Sequence, residues 1–182
     1  SLQNYLQSLR ILEKYKSPRH KIGLVTANVG IVYFNLEKYD MAIDYYNRAL
    51  QIAEETSDSS GIASAYTNLG NIYKDLDKYD QCEVYFVKAL AIFESLGEEY
   101  GSANCLANLG ALAKRKNEIN KAMDHYQRAF KIYQRLKNDD GICAMYYSFG
   151  AIYFELKDYH KAIDQLNLSI EVARKILAGN SV

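Results

Sequence analysis

Asn28, Asn68 and Asn108 stand at an unbroken spacing of 40 residues, each inside a stretch whose apolar spacing is helical. Asparagine is a mediocre helix former that favours caps and turns, so three of them at mid-helix need a chemical reason. A carboxamide donates and accepts hydrogen bonds at once. Two readings follow. Either each amide bonds the backbone or a side chain of the neighbouring segment, or the row is a ladder that meets the main chain of an extended ligand. Ser148 continues the row, and the 40-residue register places Tyr147, Asn71, Lys74, Lys114 and Arg115 beside it. Lys114 and Arg115 could meet a ligand carboxylate. The candidate surface is therefore Asn28, Asn68, Asn108, Asn71, Lys74, Lys114, Arg115 and Tyr147.

Covalent or acid–base chemistry has little to work with. There is no phosphate-binding glycine loop, no GxGxxG opening a helix after a strand, no HExxH and no nucleophile elbow. The three histidines are scattered: His20 reads as part of a linker, His125 as a surface residue of a helix, and His160 as part of a turn. The pairs Glu54-Glu55 and Asp139-Asp140 read as solvated charges at helix ends. Cys82, Cys105 and Cys143 show no metal-ligand spacing and read as buried small thiols, which points to a reducing compartment and a cytoplasmic protein. No metal or cofactor is expected. No apolar run approaches the roughly 20 residues of a membrane span. The expectation is a chain that is not an enzyme.

The elements that must position these residues repeat with them. Glycine recurs at Gly30, Gly70, Gly110 and Gly150. Twelve residues later comes a small residue (Ala42, Cys82, Ala122, Ala162), then a large one (Tyr46, Phe86, Tyr126, Leu166), then a small one again (Ala49, Ala89, Ala129, Ser169). Self-similarity at this period marks a solenoid. Offsets of three, four and seven give each repeat two helices, joined by polar turns such as Leu36-Glu37-Lys38-Tyr39. Clusters such as Ser57-Asp58-Ser59-Ser60-Gly61 and Lys137-Asn138-Asp139-Asp140-Gly141 separate the repeats and offer N-caps. Glycine and alanine are expected where the two helices cross, with the large residue filling the space opposite.

Tyr66, Leu69, Gly70, Tyr73, Cys82, Phe86 and Ala89 resemble the tetratricopeptide repeat, as do Tyr146, Phe149, Gly150, Tyr153, Ala162 and Leu166. Repeat 1 departs with Thr26 for the first aromatic, and repeat 3 with Leu106 there and Ala113 for the tyrosine. The proline that ends the second helix in that family is missing, and the unit is about six residues longer than the common 34-residue form. This longer variety is similar to the repeats of LGN/Pins polarity scaffolds, kinesin light chains and bacterial peptide-sensing regulators. The resemblance implies an all-α, right-handed superhelical solenoid of antiparallel helix pairs, about nine helices in all, with the first helices lining a concave groove. It also implies that asparagine at the Asn28, Asn68 and Asn108 positions holds bound peptide.

The expected organisation is a single solenoid. Residues 1–20 form the second helix of a partial repeat with a linker, followed by repeats at 21–60, 61–100, 101–140 and 141–182. Leu6, Leu9, Leu12 and Tyr15 are expected on one face of the first helix. Ile170, Val172, Ile176 and Leu177 are expected to form an unfinished apolar edge, covered by further sequence or by self-association. A start at Ser1-Leu2 without an initiator methionine fits a piece of a longer protein. Net charge is zero, but residues 101–140 carry eight basic against four acidic residues, whereas both preceding repeats are acidic. That pattern suits a protein or peptide ligand with acidic residues near repeat 3 and not a nucleic acid, which needs an extended basic stripe. The function expected is a scaffold that binds a partner's peptide segment. The alternative is a sensor region that switches an attached effector when it binds a peptide or a neighbouring domain.

Overall fold

The computed structural model describes residues 2–179, which contain nine α-helices and no strand. They are α1 (Leu2–Lys14), α2 (Arg19–Asn35), α3 (Tyr39–Glu55), α4 (Ser59–Asp75), α5 (Tyr79–Leu96), α6 (Glu99–Arg115), α7 (Ile119–Arg135), α8 (Asp139–Glu155) and α9 (Tyr159–Gly179). A 17-residue helix, a three-residue turn, a second 17-residue helix and another three-residue turn make up the period of 40. Each such helix is about 25 Å long at 1.5 Å per residue. The helices pack as α2 with α3, α4 with α5, α6 with α7 and α8 with α9. The chain divides into two compact units, Ser1–Leu96 and Gly97–Val182.

The turns close by backbone geometry more than by glycine. Glu37, Asp77, Asn117 and Lys157 adopt φ between 55° and 61°, and Ser57 and Lys137, at the joints between pairs, adopt 54° and 52°. In each case the next amide reaches back five residues, as in Lys38 N to Tyr33 O at 3.0 Å and Asn138 N to Tyr133 O at 2.9 Å. This is the Schellman closure, which satisfies carbonyls left over at a helix end. Only Gly97, at φ 68°, uses the residue that favours this conformation. Gly61 and Gly141 instead lie inside α4 and α8, where their amides donate to the capping side chains of Asp58 (2.9 Å) and Asn138 (2.7 Å). The expected N-caps are therefore present at those two joints, while the helix-ending role falls to Ser57 and Lys137.

The crossing point of each pair is built as the spacing predicts. A Cβ at Gly30 would lie 2.7 Å from the Tyr46 ring, at Gly70 3.0 Å from Phe86, at Gly110 2.6 Å from Tyr126 and at Gly150 2.8 Å from Leu166. Ala42, Cys82, Ala122 and Ala162 are buried beside them. In the first unit, Leu9 of α1 joins Ile22, Val29 and Ile52 in a core that Leu2, Leu6 and Leu12 flank. In the second, the Phe130 ring of α7 packs against Tyr146 and Phe149 of α8, with centroids 5.0 and 5.8 Å apart.

Several expectations need correction. Tyr15 lies beyond the end of α1 and is exposed, so it does not share the face of Leu9. His20 belongs to α2 and His160 to the first turn of α9, because the connections before them are only four and three residues long. His125 is half-buried, not a surface residue. Cys82 and Cys105 are buried, but Cys143 is only half-buried, with its sulfur 3.3 Å from the Ser169 carbonyl oxygen. Along the α9 edge, Ile170 and Leu177 are exposed, while Val172 and Ile176 are half-buried.

The glycine contacts set up a graded test. Replacing a helical glycine by alanine gains about 1 kcal/mol of helix propensity, whereas overpacking costs about 1–3 kcal/mol. At Gly70 the ring need give only a few tenths of an ångström, so Gly70→Ala should change stability by less than about 1 kcal/mol. At Gly110 the buried Tyr126 ring must move bodily, and Gly110→Ala should cost about 1–3 kcal/mol in urea unfolding. Equal effects at the two sites would refute the crossing-point account.

Burial also pushes the Tyr46 and Tyr133 phenols up to about 12, against 10.0 for a solvated tyrosine. Between those values the unfolded chain holds fewer protons than the folded one, so stability falls as pH rises. Below about pH 10 both states are protonated and the contribution is complete. Urea midpoints should therefore be insensitive to these groups up to about pH 10 and decline towards pH 12. A single tyrosine ionisation near pH 10, followed by ultraviolet absorbance, would contradict this.

Candidate ligand-binding surface

Within each unit the first helices of successive pairs touch, α2 with α4 and α6 with α8. The crossing glycines and the residues that flank them stand on these same helices. Asn28, Asn68 and Asn108 are all half-buried there, each next to a buried Val29, Leu69 or Leu109. The helices present them because the 17-residue length keeps successive repeats in register, so position 28 recurs at the same place on α4 and α6.

In the first unit the amides of Asn28 and Asn68 have no hydrogen-bond partner among the described residues. Asn71 accepts from Lys74 Nζ at 3.2 Å, one turn along α4. Thr67 is turned back onto its own helix, donating to the Ala63 carbonyl at 2.9 Å. Leu24 and Ile31 of α2 are exposed on the same side. Between α2, the end of α3 and the start of α4 lies a pocket of about 270 Å³. Its buried wall is Ile52, Ala53 and Ala65, and Leu24, Ser64 and Asn68 also line it. The three-residue joint carrying Asp58 brings these segments together. Glycine and alanine on all three leave the space unfilled.

In the second unit the equivalent polar groups are already engaged. Asn108 Nδ2 donates to the Asn104 carbonyl at 3.0 Å, and Ser148 Oγ donates to the Ala144 carbonyl at 2.9 Å. The Asn108 amide is thus bonded to its own helix. Lys114 Nζ lies 2.8 Å from Glu155, tying α6 to α8, so its charge is met within the unit. Arg115 is exposed. Tyr147 and Phe154 present exposed aromatic rings along α8. The open end of several pairs is clasped by ion pairs 36 residues apart: Arg19 with Glu55, Arg135 with Glu99 and Lys175 with Asp139. The Arg19 guanidinium holds the Glu55 carboxyl below its usual range. Such exposed pairs contribute little to stability. The asparagine row therefore splits into open amides in one unit and an occupied one in the other. Sequence reasoning missed the pocket, whose signal is alanine at position 53 where the 40-residue register has Phe93 and Tyr133.

No helix among the described residues is long and apolar enough to cross a membrane. No curated protein matches the chain in sequence. Among solved structures, BtubC (BKLC) from P. vanneervenii is 24% identical with a TM-score of 0.83, over 98% of this chain and 72% of that one. Aspartyl phosphate phosphatase F from Bacillus subtilis is 17% identical with a TM-score of 0.83, over 91% of this chain and 43% of that one. The Rap conjugation gene regulator of the plasmid pLS20, solved in complex with a peptide, is 17% identical with a TM-score of 0.77, over 96% of this chain and 50% of that one. The chain thus spans half or less of the length of the last two. At these identities the likeness is one of fold. Family models described as tetratricopeptide repeat match residues 27–55, 61–135 and 144–176, most of the length described. With its helix pairs and glycine crossings, the chain belongs to the tetratricopeptide repeat family.

Proposed function

We propose that the chain is a protein-interaction module that holds an extended segment of a partner along the inner side of its first helices, chiefly α2 and α4. The observation that carries this reading is the pair of half-buried, unpartnered amides of Asn28 and Asn68. Water reaches both amides in the free chain, and a peptide main chain offers the donor and the acceptor that can replace it, each such bond worth about 0.5–1.5 kcal/mol net. The exposed Leu24 and Ile31 beside them supply apolar contact for the segment's side chains. The peptide held by the Rap regulator of similar fold supports the same use of this architecture. Asn108 and Lys114 carry less of the reading, because both are engaged within the second unit. Hydrogen bonding and apolar contact suffice for this role, and no catalytic step is assigned. The free cysteines support a reducing, cytoplasmic setting.

The test uses random-sequence peptides displayed on phage and selected on the intact chain, with affinities measured by calorimetry. The double variant Asn28→Ala/Asn68→Ala should weaken selected peptides by about 1–3 kcal/mol. Asn108→Ala should change them by less than about 0.5 kcal/mol. Lys114→Ala should lower stability by no more than about 1 kcal/mol, since a partly exposed ion pair is worth little. If the double variant binds as wild type does while Arg128→Glu on α7 abolishes binding, the site is on the second helices and the reading fails.

A further inference from the structure

The pocket beside Asn68 has a counterpart in the second unit, and there the chain fills it itself. Position 53 recurs at 133 and position 65 at 145. Tyr133 and Met145 are both buried. The Tyr133 ring lies so close over Gly141 that a Cβ there would overlap it, and its hydroxyl donates to Asn104 Oδ1 at 2.7 Å. The same register in the first unit holds Ala53 and Ala65, with Gly61 at the place of Gly141. Gly61 is also crowded by the Asp58 cap, but its near neighbour on α3 is the Ala53 methyl, 3.2 Å from where a Cβ would stand. A ring and a thioether side chain are missing from an otherwise equivalent joint, and the space left measures about 270 Å³. An apolar cavity of ~150 Å³ already accepts benzene. The lining includes Ser64 and the unpartnered amide of Asn68, which can meet a phenol hydroxyl.

We infer that this pocket is the receptor for a single aromatic side chain, tyrosine or phenylalanine, of the bound partner segment, seated where Tyr133 sits in the second unit. The inference rests on the interaction reading above and gives it a specificity element. Asn68 lies both in the pocket lining and in the amide row, so a segment whose main chain meets Asn28 and Asn68 has its side chain at the pocket's edge. An aromatic ring brings a large apolar surface into such a pocket, and aromatic anchors recur among the few residues that carry most of an interface's binding energy.

The pocket is tested first with p-cresol, the tyrosine side chain as a free molecule, titrated into the intact chain and followed by amide proton–nitrogen NMR. Saturable shifts should gather at Gly23, Ala53, Gly61, Ala65 and Asn68. Two variants fill the space, Ala53→Phe with the ring that Phe93 carries in the register and Ala65→Met with the side chain of Met145, and circular dichroism with cooperative unfolding checks that each folds. In either folded variant the p-cresol affinity should fall by roughly tenfold or more, equivalent to at least ~1.4 kcal/mol. Shifts that gather elsewhere, or an affinity that both variants leave unchanged, overturn the inference. Phage-selected peptides separate this result from the parent reading. Peptides that depend on Asn28 and Asn68 but lack a recurrent aromatic residue, and that bind Ala53→Phe as well as wild type, sink the pocket and leave the interaction reading standing. Saturable p-cresol binding at the pocket of a chain that selects no peptide does the reverse.

Discussion

The absence of a side chain at one point on each first helix governs everything else in this molecule. A ring or a leucine from the second helix lies within about 3 Å of where a Cβ would stand at Gly30, Gly70, Gly110 and Gly150. That approach sets how closely the helices pair and which residues lie in the seam. It therefore decides which neighbours are left beside the seam. Asn28 and Asn68 are half-buried because they stand two residues before the glycine, one step off the buried line through Val29 and Leu69. A wider crossing would turn those amides away from their present setting. The binding surface proposed for this chain is thus a by-product of packing geometry, decorated by residue type.

The architecture was legible in the sequence because the determinant is periodic. Four glycines, four large partners and two flanking rows of small residues repeat without a gap, and the contacts reproduce those pairings one by one. The turns were harder to read. Asp77 and Asn117 are residue types that tolerate the left-handed conformation, but Glu37 and Lys157 take it with nothing in their side chains to announce it, because backbone hydrogen bonds to the previous turn hold it. For a like reason His20 and His160 read as linker and turn residues: polar side chains beside a short connection cannot show where the next helix starts.

At the candidate surface, position was legible and state was not. The register places Asn28, Asn68 and Asn108 on equivalent faces, yet Asn108 donates to its own helix while the other two amides remain open. Rotamers decide that difference, and a repeat alignment treats the three as equal. Lys114 was read as a cation awaiting a carboxylate, but Glu155, one repeat later in the adjacent row, already supplies it. The pocket shows the opposite failure. Its signal was present in the alignment, as alanine at position 53 against aromatic residues at 93 and 133, but attention to what repeats passes over what is missing.

The short reach of the defining contacts has a kinetic consequence. Gly30 meets Tyr46 sixteen residues away, and Arg19 meets Glu55 across 36, so each helix pair closes from residues near one another in the chain. Loops of this size close at small entropic cost, and proteins dominated by such contacts fold quickly for their length. Each pair can form before its neighbours and then serve as the template against which the next condenses. A chain with this wiring can fray and re-form one hairpin at a time, so local opening can be frequent while global unfolding stays rare.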